Sequence, residues 1–150
     1  MSVKGRVRKI VPIPELMAFD SITYQELPYY GGEITYHIDV ELERDGVLSL
    51  RTPHYRAGVI AVSVDGKRAA TISKMPYTAC LGKYSRGKHR VDITAYISRH
   101  NCFGHIHNAN SKFRWLGPEC WSTVGDTWTY EYRLLPEGLI SSPIFDIAEE

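Results

Sequence analysis

Aromatic residues in predicted loops, each close to polar residues in the sequence, could bind a ligand. The rings belong to Tyr29, Tyr30, Tyr55, Trp115 and Trp121, and the polar neighbours include His54 and Arg56. Carbohydrates present flat C–H faces that stack on such rings, and their hydroxyl groups need polar partners. The pattern therefore predicts a carbohydrate-binding surface made of Tyr30, His54, Tyr55, Arg56, Trp115 and Trp121. The alternative is that Trp115 and Trp121 only pin their own long loop onto the domain.

Two histidines, His105 and His107, could instead bind a metal ion. If residues 102 to 107 form a strand, alternation places both imidazoles on one face. A His-x-His pair on a strand is similar to the opening of the cupin metal motif, which continues with Glu three or four residues later. Asn110 and Ser111 occupy those positions here. We therefore predict no metal cofactor, and a small cupin-like metalloenzyme using His105 and His107 is an alternative.

No pair of carboxylates suited to glycoside hydrolysis stands out. Such a pair must face each other about 5 to 10 Å apart across a cleft. Five of the acidic residues instead alternate with apolar ones along predicted strands, which places them on the solvent side. These residues are Asp39, Glu41, Glu43, Asp92 and Glu131. We therefore assign no catalytic residue.

The composition argues against several classes of protein. The 150 residues include 18 Lys and Arg against 17 Asp and Glu, and this balance disfavours nucleic acid and membrane surfaces as partners. No stretch approaches the ~20 apolar residues of a membrane-spanning helix, and the first residues lack the apolar core of a signal peptide.

Cys80, Cys102 and Cys120 include no closely spaced zinc-binding pair. We expect free, buried thiols, which favour the cytoplasm without fixing the compartment.

Alternation of apolar and polar residues predicts the strands that carry these loops. It is nearly perfect over residues 34 to 42, and residues 47 to 52 form a second strand. Residues 90 to 97 place an apolar side chain at every second position and polar ones between, which is typical of a half-buried strand.

The centre of the chain predicts a tight hairpin. Residues 59 to 64 lead into Asp65 and Gly66, which tolerate the positive φ angles of a type I′ turn. Residues 67 to 72 should therefore return as the antiparallel partner. We interpret residues 73 to 89, which contain two glycines, as a loop.

Further strands are predicted near the C-terminal end. In residues 128 to 134, Trp128, Tyr130 and Tyr132 alternate with polar side chains, which predicts an aromatic, core-facing side. Residues 143 to 147 form a last short strand. About eight strands with hardly any helical periodicity indicate a sandwich or a barrel.

The N-terminal residues differ from the rest. Residues 3 to 13 mix β-branched and basic side chains, and Pro12 lacks the N–H that a central strand needs, so an edge strand is the most they can form. We therefore divide the chain into residues 1–27, an N-terminal extension or edge strand packed on the sandwich, and residues 28–150, a β-sandwich domain.

The central strands also resemble a known family. The matching residues are Val62, Val64 and Gly66 in a V-x-V-x-G strand, then Asp92-Ile93-Thr94, then Asn101. In this order they resemble the jelly-roll sugar-binding domain of family 2 glycoside hydrolases, within the galactose-binding-domain-like superfamily. The resemblance extends over residues 29 to 108.

The resemblance implies an all-β, jelly-roll β-sandwich of antiparallel strands. It also implies a non-catalytic role in binding carbohydrate or bracing a catalytic barrel, so carbohydrate and the catalytic domain of a parent chain are the expected partners. Family 2 enzymes keep their catalytic carboxylates in a separate TIM barrel, for which 150 residues leave no room.

Galactose-binding-like domains often hold a structural calcium ion, for which Asp20, Glu26, Glu33 and Asp126 could supply oxygen ligands. A protein-interaction module is a further alternative.

Overall fold

The computed structural model describes residues 19–109 and 123–148. Within these ranges the chain forms a short helix, α1 (His100–Phe103), one 3-10 turn (Ile22–Tyr24) and nine strands. The strands are β1 (Glu33–Leu42), β2 (Gly46–Arg51), β3 (Tyr55–Arg56), β4 (Val59–Val64), β5 (Lys67–Ile72), β6 (Thr78–Tyr84), β7 (Gly87–Tyr96), β8 (Gly138–Leu139) and β9 (Ile144–Ala148). No helix in the described ranges is long and apolar enough to cross a membrane.

The strands assemble into two antiparallel sheets and one small ladder. The first sheet has the order β1-β7-β4-β5 and the second the order β6-β2-β9, while β3 pairs with β8. Buried side chains from both sheets belong to one hydrophobic cluster, which includes Val91 and Ile93 of β7 and Leu48 and Leu50 of β2. The predicted all-β sandwich is therefore confirmed.

The central hairpin forms as the sequence predicts. Asp65 and Gly66 connect β4 to β5 with φ angles of 50° and 76°. Both angles lie in the left-handed region that a type I′ turn requires. The backbone N–H of Arg90 on β7 donates to Oδ1 of Asp65 over 2.9 Å, so the turn is also tied to the neighbouring strand.

Among the strands longer than two residues, β6 is the one that the sequence does not predict, because a bulge hides its periodicity. The sequence predicts a loop at residues 73 to 89, yet Thr78–Tyr84 forms β6 along β2. The register shifts where Leu48 pairs with Gly82 and Ser49 pairs with Cys80, which leaves Leu81 unpaired between them. An extra residue in one strand breaks strict period-two alternation. The apolar pattern of β6 is therefore weak in the sequence.

The predicted strand at residues 102 to 107 is wrong. The N–H of Phe103 donates to the carbonyl of Arg99 over 2.9 Å, and that of Gly104 donates to His100 over 2.7 Å, so this part of the chain turns as α1. His105 and His107 follow α1 in a turn and do not share a strand face.

A buried asparagine holds α1 against the C-terminal part of the chain. The side chain of Asn101 donates to the carbonyl of Leu135 over 2.8 Å and accepts from the N–H of Leu135 over 2.9 Å. The hydroxyl of Thr23 donates to the same carbonyl over 2.8 Å. These bonds fix the residues before Leu135 relative to the sandwich, so the matched motif residue Asn101 has a structural role.

Candidate functional site

Two chain segments beyond β7 lie side by side at the surface. The N–H of Ala109 donates to the carbonyl of Thr127 over 2.8 Å, and the N–H of Thr129 donates to His107 over 2.8 Å. The N–H of Arg133 donates to the carbonyl of Ile106 over 2.6 Å. Backbone bonds at these three points hold residues 106–109 against residues 127–133, although neither segment forms a long strand.

Aromatic rings from these segments and from Tyr29 form a continuous cluster. The Trp128 ring centroid lies 4.3 Å from that of Tyr130 and 5.4 Å from that of His107, which stacks on it at 25°. His107 contacts Tyr132 at 4.7 Å, and Tyr132 contacts Tyr29 edge-on at 5.6 Å. We call these five residues the aromatic cluster.

Much of the aromatic cluster is open to solvent. Tyr130 is 88% exposed, Tyr132 57% and Tyr29 46%, while Trp128 and His107 are half-buried. Because exposed rings that contact one another are unusual on a soluble surface, such a patch suggests a binding surface. Desolvation raises the pKa of the Tyr29 hydroxyl, and the neighbouring Tyr132 adds to this effect.

The prediction that Trp128, Tyr130 and Tyr132 lie on the core-facing side of a strand is wrong. Residues 129 to 137 form no strand, and Trp128 makes only an isolated bridge to Asn108. Alternation can place side chains toward a core only where a partner strand fixes the backbone. Without that partner, Tyr130 and Tyr132 point to solvent, and sequence reasoning missed them as candidate binding residues.

Polar groups flank the aromatic cluster. Nδ1 of His107 donates to the carbonyl of Thr129 over 2.9 Å, which orients the ring between Trp128 and Tyr132. Glu131 and Arg133 form an exposed ion pair over 3.2 Å. Their charges offset each other, so the site suits a ligand without net charge.

The residues that the sequence predicts to bind carbohydrate differ in exposure and in their contacts. Tyr55 of β3 is half-buried, packs edge-on against Tyr77 at 5.0 Å between ring centroids, and has a raised pKa because of desolvation. His54 and Arg56 beside it are exposed. Tyr30 is half-buried and its hydroxyl donates to the carbonyl of Glu33 over 2.8 Å. Their role in binding stays a prediction.

Trp115 and Trp121 lie outside the described residues. Their assignment to the carbohydrate-binding surface is therefore a prediction from the sequence alone.

The two metal-ligand candidates have different neighbours. The ring of His105 packs edge-on against His100 at 5.3 Å, whereas His107 belongs to the aromatic cluster. Within residues 19–109 and 123–148, no group of three or more His, Cys, Asp or Glu side chains could hold a metal ion. The calcium site stays a prediction.

The expectation of buried thiols is wrong for Cys80, which is exposed. Cys102 is half-buried and its thiol donates to the carbonyl of Tyr29 over 2.7 Å. This contact links α1 to the residue that begins the aromatic cluster. Both cysteines are free.

The fold also occurs in a solved enzyme structure. A rhamnosidase from Novosphingobium sp. PP1Y matches 78% of this chain with 24% sequence identity and a TM-score of 0.54, over 11% of its own length. A GH2 beta-galacturonidase from Eisenbergiella tayi, bound to glycerol, matches 57% of this chain and 15% of its own length with 22% identity and a TM-score of 0.45. No protein-family model and no curated protein matches the sequence. This chain therefore has a β-sandwich fold that is also found as one small part of a rhamnosidase.

Proposed function

We propose that this chain is a non-catalytic accessory domain of a glycoside hydrolase, and that it binds carbohydrate through the aromatic cluster. The observation that carries the proposal is the solvent exposure of Tyr130 and Tyr132 beside Trp128 in one continuous set of rings. The shared fold with one part of a rhamnosidase supports the accessory role. Bracing of a catalytic barrel by the rest of the surface is compatible with this role.

The chemistry of the cluster suits sugars. Rings that meet at varied angles, such as Trp128 with Tyr130 at 81° and His107 with Trp128 at 25°, offer several facets for C–H faces of pyranose rings. The hydroxyl groups of Tyr130 and Tyr132 can donate to and accept from sugar hydroxyls. Because Tyr has only two χ angles, ordering these side chains costs little entropy.

The test is binding of a glycan panel to the full chain, followed by titration with the best ligand. Tyr130→Ala and Tyr132→Ala should each weaken binding about tenfold, which corresponds to about 1.4 kcal/mol. Trp121→Ala tests the predicted loop residue in the same way. Tyr24→Ala is the matched control, since Tyr24 is an exposed tyrosine outside the cluster.

Binding that is unchanged in both cluster variants would rule out the aromatic cluster as the sugar site. If no glycan binds and an unrelated protein chain covers these rings instead, the protein-interaction module is the better interpretation. Stoichiometric metal in protein purified without a His tag would favour the metalloenzyme alternative.

A further inference from the structure

The aromatic cluster contains two pairs of rings that stand nearly at right angles. Trp128 and Tyr130 meet at 81° with their ring centroids 4.3 Å apart, and we call this pair corner 1. Tyr29 and Tyr132 meet at 70° with their ring centroids 5.6 Å apart, and we call this pair corner 2. Each corner therefore offers two ring planes, which can contact a single sugar unit from two sides.

Both corners are open to solvent. Tyr130 of corner 1 is exposed beside the half-buried Trp128, and both tyrosines of corner 2 are exposed. Sugar C–H faces stack on apolar ring surfaces that they can reach from solvent. Each corner therefore has at least one ring that is available for stacking.

The half-buried ring of His107 separates the two corners. Its centroid lies 5.4 Å from that of Trp128 and 4.7 Å from that of Tyr132, so these two rings are at most about 10 Å apart. Among the described residues, no ring of corner 1 contacts a ring of corner 2 directly. Because a pyranose ring is similar in size to a phenol ring, one sugar unit fills one corner, whereas a short oligosaccharide can reach both.

Hydrogen bonds fix the position of each corner. The N–H of Thr129, between the two residues of corner 1, donates to the carbonyl of His107 over 2.8 Å. The thiol of Cys102 on α1 donates to the carbonyl of Tyr29 in corner 2 over 2.7 Å. Both corners are thus tied to α1 and the turn that follows it. A spacing that is set before binding lowers the entropy lost when a ligand is ordered.

We infer that the ligand of the aromatic cluster is an oligosaccharide whose sugar units occupy both corners, and not a single sugar. This inference rests on the proposed function and names the class of carbohydrate. Once one unit lies in a corner, the next unit binds as part of the same molecule and loses little further translational freedom. Affinity should therefore rise with ligand length until both corners are filled.

Titration of the full chain with β-1,4-linked series of glucose, xylose, mannose and galactose, from the monosaccharide to the hexasaccharide, tests the inference. In the series that binds, the tetrasaccharide should bind at least about tenfold more tightly than the monosaccharide. Tyr130→Ala and Tyr132→Ala should each remove most of this gain. Either variant should change monosaccharide affinity by less than about twofold, because the other corner is intact. Tyr24→Ala, an exposed tyrosine outside the cluster, is the matched control and should keep the full dependence on length.

Equal affinities for monosaccharide and tetrasaccharide would overturn the inference and leave carbohydrate binding itself intact. A gain with length that survives in both cluster variants would place the second subsite elsewhere and would also overturn it. So would the absence of binding to every one of these series. Absence of binding across the whole glycan panel would reject the proposed function as well.

Discussion

The hydroxyl of Ser98 donates a hydrogen bond to Oε1 of Glu137 over 2.5 Å, while among the described residues no group bonds to Oε2 of the same carboxyl group. Glu137 is 1% exposed. Burial raises its pKa above the ordinary value of 4.5, although the Ser98 hydrogen bond and the positive charge of Arg56 act in the opposite direction. The folded protein therefore holds this proton more tightly than the unfolded chain.

A pH-dependent loss of stability follows for Glu137. Its contribution is fully present below pH 4.5 and is lost as the pH rises through the raised folded-state pKa. Glu137→Gln removes the charge, so its free energy of unfolding at pH 7 should exceed that of the wild type by about 1 kcal/mol. Urea unfolding at pH 4 and pH 7 measures this, and the difference should disappear at pH 4. A variant that is less stable at pH 7 would show that the ionised carboxylate is stabilised in place.

The carboxylate of Asp65 in the hairpin turn should determine how far the pKa of His89 is raised. Nδ1 of His89 donates to Asp65 over 2.7 Å and Nε2 donates to the carbonyl of Ser85 over 2.8 Å, and these bonds raise the pKa of His89. Their stabilisation is present below pH 6.5 and lost as the pH rises through the folded-state pKa. Asp65→Asn keeps a residue that tolerates positive φ and should lower the pKa of His89 in an NMR titration. Asp92→Asn, which changes the carboxylate beside His37, is the control.

Two glycines with positive φ should differ in their tolerance of alanine. A Cβ at Gly66 would meet no atom within 4 Å, so Gly66→Ala should cost only backbone strain, about 1 kcal/mol. A Cβ at Gly138 would lie 2.6 Å from the Tyr36 hydroxyl, which accepts a hydrogen bond from the Leu139 N–H. Gly138→Ala should therefore cost about 3 kcal/mol in chemical unfolding. Equal losses would contradict the close packing at Gly138.

The Asn101 network should support the aromatic cluster from a distance. Asn101→Ala removes both bonds to Leu135 and should lower the free energy of unfolding by about 2–3 kcal/mol. It should also weaken glycan binding without altering any ring. Ser142→Ala, which removes an exposed hydroxyl near β9, is the control for both measurements. Full retention of binding would show that residues 127–133 keep their arrangement without Asn101.

An alanine substitution in the hydrophobic core should lower the free energy of unfolding far more than one in the aromatic cluster. Ile93→Ala deletes a fully buried side chain and should cost about 2–5 kcal/mol. Tyr130→Ala deletes a side chain that is 88% exposed and should change stability by less than about 0.5 kcal/mol. Thermal and urea unfolding of both variants measure this. A large loss in Tyr130→Ala would restore the core-facing interpretation of this tyrosine.

The sequence by itself determined the parts of the fold in which local pattern and local geometry agree. Alternation located β1, β4 and β7. The Asp65-Gly66 pair determined the turn and with it the return strand β5, because positive φ angles favour these two residue types. The same alternation at Trp128, Tyr130 and Tyr132 predicted a strand face that does not form. Periodicity describes which side chains share a side, but only a hydrogen-bonded neighbour decides whether that side faces a core.

Tertiary structure decided everything that depends on residues distant in the chain. The burial of Glu137 beside Ser98 and the contact of Tyr29 with Tyr132 join positions 39 and 103 residues apart, and no local pattern marks them. The bulge at Leu81 likewise exists only in the pairing of β6 with β2. Such contacts arise because two sheets pack face to face and bring separate loops to one end. The aromatic cluster is therefore a product of the folded sandwich.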